Sequence, residues 1–133
     1  MRCVLDTNVV VSALLSPGSK PRMVVDLVRR RGTILLSFAT LAELFDVLAR
    51  KQFRSYIDEG DVRRFLAALT SEAQWIDVHL EITACRDPKD DKFLSLAVSG
   101  LATHIVTGDE DLLALHPFQG IQILSPSAFL EQS

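Results

Sequence analysis

Near its start the chain reads Cys3-Val4-Leu5-Asp6-Thr7-Asn8, an apolar triplet followed directly by an acid. A short continuous apolar run of this kind is typical of a strand that is buried on both faces of a sheet. A helical pattern extends from Val9 to Leu15. The stretch therefore predicts a strand and a helix with a carboxylate at the junction between them.

The same alternation of short apolar runs and helical patterns continues along the chain. Because parallel neighbours need a crossover connection, it predicts an α/β fold with a mostly parallel sheet and helices on both faces. Further strands are predicted at Thr33–Leu36, Trp75–Val78, His104–Val106 and Ile121–Ile123. Further helices are predicted around Val24–Arg31, from Phe38 with an apolar stripe of Leu41, Leu44, Phe45 and Leu48, and at Asp61–Leu69, Asp90–Val98 and Asp109–Leu115.

Length and composition set the class of protein. The 133 residues, 48% of them hydrophobic and 23% charged, predict a single domain spanning 1–133. No apolar run approaches the roughly 20 residues that cross a bilayer, and no secretory signal opens the sequence, so we expect no membrane partner and a cytoplasmic location. Cys3 and Cys85 belong to no C-x-x-C pair, which predicts two buried free thiols without a zinc or redox site.

Acids occupy the positions where this class of fold performs its chemistry. Ligands of parallel α/β sheets bind beyond the carboxyl ends of the strands. Acids follow the first and second predicted strands and the strand at His104–Val106, and another opens a helix on the same face as Phe93 and Leu94. The candidate acids are Asp6, Glu43, Asp90, Asp109 and Asp111.

Each acid also has a simpler interpretation. Asp6, Asp109 and Asp111 stand where carboxylates cap helices. Thr40-Leu41-Ala42-Glu43 fits the T-x-x-E capping-box pattern, which would make Glu43 a cap or a solvated side chain. Asp90 is harder to explain in this way, because a carboxylate aligned with core residues must recover its lost solvation. Its neighbours have plainer roles, with Asp91 exposed and Asp87 shaping the turn before Pro88.

Convergence of these carboxylates would change the interpretation. Their mutual repulsion would raise pKa values and destabilise the fold unless cations neutralised them. Oxygen ligands without histidine or thiolate suit Mg²⁺ or Mn²⁺, which can activate water for attack on a phosphodiester. The net charge is −3, but setting aside five metal-neutralised acids leaves 14 bases against 12 acids, so a nucleic-acid partner is possible. A set of basic residues has two open interpretations: they contact phosphates, or they lie on solvated helix faces. These residues are Arg29, Arg30, Arg31, Arg50, Lys51, Arg54, Arg63 and Arg64.

Four pieces of the chain, in order, resemble the PIN-domain ribonucleases, and more closely the single-domain, VapC-like toxins of toxin–antitoxin pairs. They are Val4–Val9, Ser37–Leu44 with Val47-Leu48, Cys85–Ala97 and Ile105–Leu113. The resemblance implies a three-layer α/β/α fold around a parallel sheet of about five strands. Two positions depart from the family pattern: Asp91 stands where asparagine is frequent, and Lys89 where an acid is frequent.

The resemblance also implies a function. The family's acids fall on Asp6, Glu43, Asp90 and Asp109, with Asp111 as a helper, while Asn8 and Thr107 would orient them by hydrogen bonding. It implies Mg²⁺ or Mn²⁺ as cofactor, RNA as substrate, a small antitoxin as partner and a possible homodimer. We therefore expect a metal-dependent endoribonuclease that hydrolyses RNA phosphodiester bonds. The alternative is a non-catalytic PIN-like module that binds RNA or a partner.

Overall fold

The computed structural model describes residues 1–50 and 57–133, and the predicted basic residues Lys51 and Arg54 lie outside those ranges. Its sheet has five strands in the order β3-β2-β1-β4-β5, and each neighbouring pair is parallel. This confirms the predicted parallel α/β sheet. The strands are β1 Arg2–Leu5, β2 Thr33–Leu36, β3 Gln74–Trp75, β4 His104–Val106 and β5 Gln122–Leu124.

Helices connect the strands on both faces of the sheet. A 3₁₀ turn at Pro88–Asp90 leads directly into the helix that begins at Asp91. No helix within the two described ranges is both long enough and apolar enough to cross a membrane. The described helices are α1 Thr7–Leu15, α2 Lys20–Arg31, α3 Phe38–Leu48, α4 Glu59–Glu72, α5 Asp91–Ser99, α6 Glu110–Leu113 and α7 Pro126–Glu131.

Alternating strand side chains divide the core into two layers. Cys3 and Leu5 of β1 pack with α1, α2, α3, α4 and α7, whereas Val4 packs with α5 and α6. Successive side chains of a strand point to opposite faces of the sheet, so one continuous apolar run serves both layers. The result is the three-layer α/β/α arrangement that the resemblance implied.

The carboxyl edge of the sheet keeps its hydrogen bonds for one residue beyond the strands. The amide of Asp6 donates to the carbonyl of Val106 (3.0 Å), and the amide of Thr107 donates to the carbonyl of Leu124 (2.9 Å). This extension holds the backbones of Asp6 and Thr107 in neighbouring rows. It therefore positions the first two polar side chains of the candidate site.

Three local predictions were wrong. The strand predicted at Trp75–Val78 is only β3, because after Ile76 donates to the carbonyl of Leu36 (2.8 Å) the chain leaves the sheet. Helix α3 does not bury Phe45, which is 47% exposed, because its inward face is centred on Leu44 and Val47. Cys85 is only partly buried.

Candidate metal centre

Asp6 lies at the middle of the sheet's carboxyl edge, immediately after β1. Its side chain is buried, and the hydroxyl of Thr107 donates to its Oδ2 atom (2.6 Å). Burial raises the pKa of Asp6 above its ordinary value, the hydrogen bond from Thr107 opposes this change, and the nearby carboxylates of Glu43 and Asp109 add to it. Asp6 therefore lies within electrostatic range of both carboxylates.

Three further acids form a close group beside it. Single carboxylate oxygens of Asp90, Asp109 and Asp111 all lie within 4.8 Å of one another. Asp109 caps α6 by accepting from the amide of Asp111 (2.7 Å), and its own amide donates to the hydroxyl oxygen of Thr107 (3.0 Å). Thr107 thus connects the loop that carries Asp109 to the carboxylate of Asp6. Asp109 therefore both caps α6 and belongs to the acidic group.

Asp90 has the least compensated charge in this group. Burial, followed by the adjacent carboxylate of Asp109, raises its pKa from 3.8 to about 7. Its Oδ2 atom is buried and has no hydrogen-bond partner among the described residues. A buried carboxylate oxygen of this kind normally requires a donor or a cation.

Glu43 approaches the group from α3. Its Oε2 atom accepts a short hydrogen bond from the hydroxyl of Thr7, and its Oε1 atom lies 2.8 Å from the Nζ atom of Lys92. The interpretation of Glu43 as a capping-box residue is wrong, because the box at this helix is formed by Ser37 and Thr40. Glu43 instead contacts α1 and α5 through its two oxygens.

Lys92 and Thr7 are residues of the site to which the sequence pattern assigned no role. Lys92 and Thr7 lie 49 and 36 residues from Glu43 in the sequence, so no local pattern could reveal their contacts with it. The adjacency of Lys92 to Asp90 and Asp91, and of Thr7 to Asp6, was the only available signal.

The neighbouring predicted residues have different surroundings. Asp91 accepts from the amides of Ala84 and Cys85 through its Oδ1 atom (3.0 and 2.7 Å), so this oxygen holds the preceding loop. Asp87 accepts from the amide of Lys89 (3.0 Å) and shapes the 3₁₀ turn, as predicted. Asn8 is exposed, and its side chain makes no hydrogen bond to any residue in the described ranges.

The donor set fits a hard divalent cation. Asp90, Asp109 and Asp111 offer only carboxylate oxygens, and Asp90 has a buried oxygen that no described residue satisfies. Mg²⁺ and Mn²⁺ prefer such ligands. A cation there would also offset the burial and the carboxylate repulsion that raise the pKa of Asp90.

Asp90→Asn is expected to stabilise the metal-free protein at neutral pH. A carboxyl whose pKa is higher in the folded than in the unfolded state does not lower the free energy of unfolding at pH values below its unfolded pKa. Its cost grows as the pH rises from about 4 to about 7 and stays constant above that range. We expect a gain of about 1 kcal/mol in the free energy of unfolding at pH 8, after allowance for solvent screening.

Urea denaturation in EDTA checks this expectation. The difference between Asp90→Asn and the unsubstituted protein should be present at pH 8 and absent at pH 4. A stability difference of equal size at both pH values would mean that the substitution acts through packing and not through the charge of Asp90.

Comparisons with known proteins agree with this architecture. A family model described as a PIN domain matches residues 2–111. Over 117 residues the chain is 32% identical to the uncharacterized protein MJ1680 of Methanocaldococcus jannaschii, and the match covers 86% of this chain and 75% of that protein.

Two solved structures resemble the fold at lower sequence identity. A chain in the crystal structure of VapBC2 from Rickettsia felis, bound to a DNA fragment from their promoter, superposes with a TM-score of 0.62 at 21% identity, covering 94% of this chain and 98% of that one. PAE2754 from Pyrobaculum aerophilum gives a TM-score of 0.61 at 19% identity, covering 99% and 88%. With the family model spanning most of its length, the chain belongs to the PIN domain family.

Proposed function

We propose that this protein is a metal-dependent endoribonuclease that hydrolyses RNA phosphodiester bonds. PIN domains are generally nucleases, which supports hydrolase activity. The observation that carries the proposal is the group of Asp90, Asp109 and Asp111, with a buried oxygen of Asp90 that no described residue satisfies. Carboxylates at this density are costly for folding, and their retention is explained by a ligand that neutralises them.

In this proposal Asp6, Glu43, Asp90 and Asp109 hold Mg²⁺ or Mn²⁺, with Asp111 as an additional ligand. A bound divalent cation supplies charge neutralisation at the scissile phosphate and makes an attacking water more acidic. Thr107 orients Asp6, since its hydroxyl donates to that carboxylate (2.6 Å). Asn8, in the first turn of α1, is proposed to help orient these acids by hydrogen bonding.

Lys92 and Thr7 have a positioning role in this proposal. They bind the two oxygens of Glu43 and so restrict the rotation of its side chain. The ammonium group of Lys92 is the positive charge on α5 next to the acids, and it offsets part of the repulsion between Glu43 and Asp6. A side chain held by two partners loses less entropy when it meets a ligand.

We further propose that the protein is the toxin of a toxin–antitoxin pair, with a small antitoxin and a second copy of the chain as partners, acting in the cytoplasm. The likeness of the fold to a chain of the VapBC2 structure supports this choice.

Incubation of the purified protein with structured RNAs and Mn²⁺ tests the nuclease activity. We expect cleavage by the unsubstituted protein, no cleavage in EDTA, and a rate at least about 100-fold lower for Asp6→Asn, because the central carboxylate is lost. Asp46→Asn, an exposed acid on α3, is the matched control and should cleave normally. Equal cleavage by Asp6→Asn and the unsubstituted protein would contradict the proposal and favour a non-catalytic binding module.

A further inference from the structure

A cavity of about 570 Å³ opens next to the acidic group, between the start of α3, the start of α5 and the segment 76–83. Its volume lies within the range of small-molecule sites. Its walls include Phe38, Ile76, Val78, Leu80, Ile82 and Lys92. Lys92 belongs to both places, because its ammonium group lies 2.8 Å from Glu43. The cavity therefore adjoins the acidic site through Lys92.

Phe38 presents an aromatic ring to this cavity at high exposure. It is the first residue of α3 and is 84% exposed, although large apolar side chains are usually buried. The reciprocal hydrogen bonds between Ser37 and Thr40 hold the backbone at this point. The ring is thus an exposed platform on a fixed helix start.

The segment 76–83 is tied to α5, the helix that follows Asp90. The hydroxyl of Ser95 accepts from the amide of Ile82 (3.0 Å), and the carboxylate of Asp91 accepts from the amides of Ala84 and Cys85. Both acceptors belong to α5 and are one helical turn apart. The segment that closes the cavity is therefore held in place before any ligand arrives, which reduces the entropic cost of binding.

The charge of the cavity selects the part of a nucleotide that fits it. Asp77, Glu81 and Asp91 line it together with Lys92, so carboxylates outnumber the cation. Such a lining repels phosphate, whereas its carboxylates can accept hydrogen bonds from the N–H groups of a nucleobase. Three of the basic residues for which phosphate contacts are open form ion pairs outside this cavity: Arg29 with Glu72, Arg63 with Glu59 and Arg64 with Asp61.

We propose that this cavity binds one unpaired nucleobase of the RNA, stacked on Phe38, beside the phosphodiester that is cleaved. This inference rests on the proposed nuclease function, and it adds a subsite that binds the base next to the cut. An aromatic ring can stack on a base that is not paired with another base. Such stacking is the usual means by which proteins hold single-stranded RNA.

Equilibrium binding of a decamer of adenylate in EDTA tests the stacking independently of cleavage. Phe38→Ala is expected to raise the dissociation constant about tenfold, within the range found for the loss of one stacked base. The matched control is Leu101→Ala, because Leu101 is similarly exposed (79%) but precedes β4 at the amino end of the sheet. This control should bind as tightly as the unsubstituted protein.

A second RNA separates stacking from a general effect of the substitution. A decamer of the same ribose-phosphate backbone without bases is expected to bind the unsubstituted protein more weakly than the adenylate decamer. Phe38→Ala should distinguish these two RNAs less than the unsubstituted protein does. Phe38-dependent binding without any Mn²⁺-dependent cleavage would reject the nuclease function, and with it the position of the base beside a cut, while supporting base binding in the cavity. Unchanged binding by Phe38→Ala, or an altered oligomeric state with unchanged RNA affinity, would overturn the inference and assign the ring to a protein contact.

Discussion

Asp109→Asn is expected to weaken the binding of Mn²⁺ at least about 100-fold. Asp109 has several acids close to it: single oxygens of Asp90 and Asp111 lie within 4.8 Å of one of its oxygens, and its charge contributes to the raised pKa values of Asp6 and Asp90. Substitution of supporting residues around a metal commonly costs 10- to 100-fold in affinity, and removal of a ligand should cost at least as much. Isothermal titration calorimetry at pH 8 measures the change.

The amide of asparagine retains the helix cap, so the variant is expected to fold. The oxygen that accepts from the amide of Asp111 is replaced by one of similar geometry. Asp46→Asn removes the same charge from the exposed side of α3 and should bind Mn²⁺ normally. Normal affinity in Asp109→Asn would show that the acids do not act together, and it would leave the non-catalytic module as the better interpretation.

Phe93→Ala is expected to lower the free energy of unfolding by about 3 to 5 kcal/mol, the usual cost of removing a buried aromatic ring. Phe93 is 1% exposed and packs in the core layer between α5 and the sheet. It follows Asp90 by less than one helical turn, so the cavity left behind also removes support from the start of α5. Urea denaturation measures the loss.

Phe38→Ala supplies a matched comparison for this stability effect. The same side chain is deleted, but Phe38 is 84% exposed, so we expect a change within about 0.5 kcal/mol. Similar losses for the two variants would contradict the core position of Phe93. The pair also shows that the RNA-binding defect expected of Phe38→Ala is not a consequence of unfolding.

The central strands could be predicted from local pattern alone. The bounds predicted for Thr33–Leu36 and His104–Val106 are those of β2 and β4, because the positions that each strand buries between the two layers are all apolar. The edge strand β3 could not be bounded in this way. Ile76 and Val78 remain apolar after the strand has ended, since they pack against the core from outside the sheet.

The face of α3 was also beyond the reach of periodicity. Leu41, Leu44, Phe45 and Leu48 form a regular stripe in sequence, yet Phe45 is exposed and Thr40 is buried. Both sets of positions are compatible with a helical repeat of 3.6 residues. The choice between them depends on how α3 rotates against α1, which is a property of the packed domain.

For the candidate site, residue types and strand ends were enough to nominate the acids. The local sequence was not enough to predict which residues each acid contacts. That an oxygen of Asp91 holds a loop while Asp90 joins Asp109 depends on where α5 begins relative to β4. The contacts of Asp6 with Thr107 and of Glu43 with Lys92 join residues 101 and 49 positions apart. A repeating pattern reports only neighbours along the chain, whereas carboxylates interact through space, so their partners exist only once the sheet has brought the strand ends together.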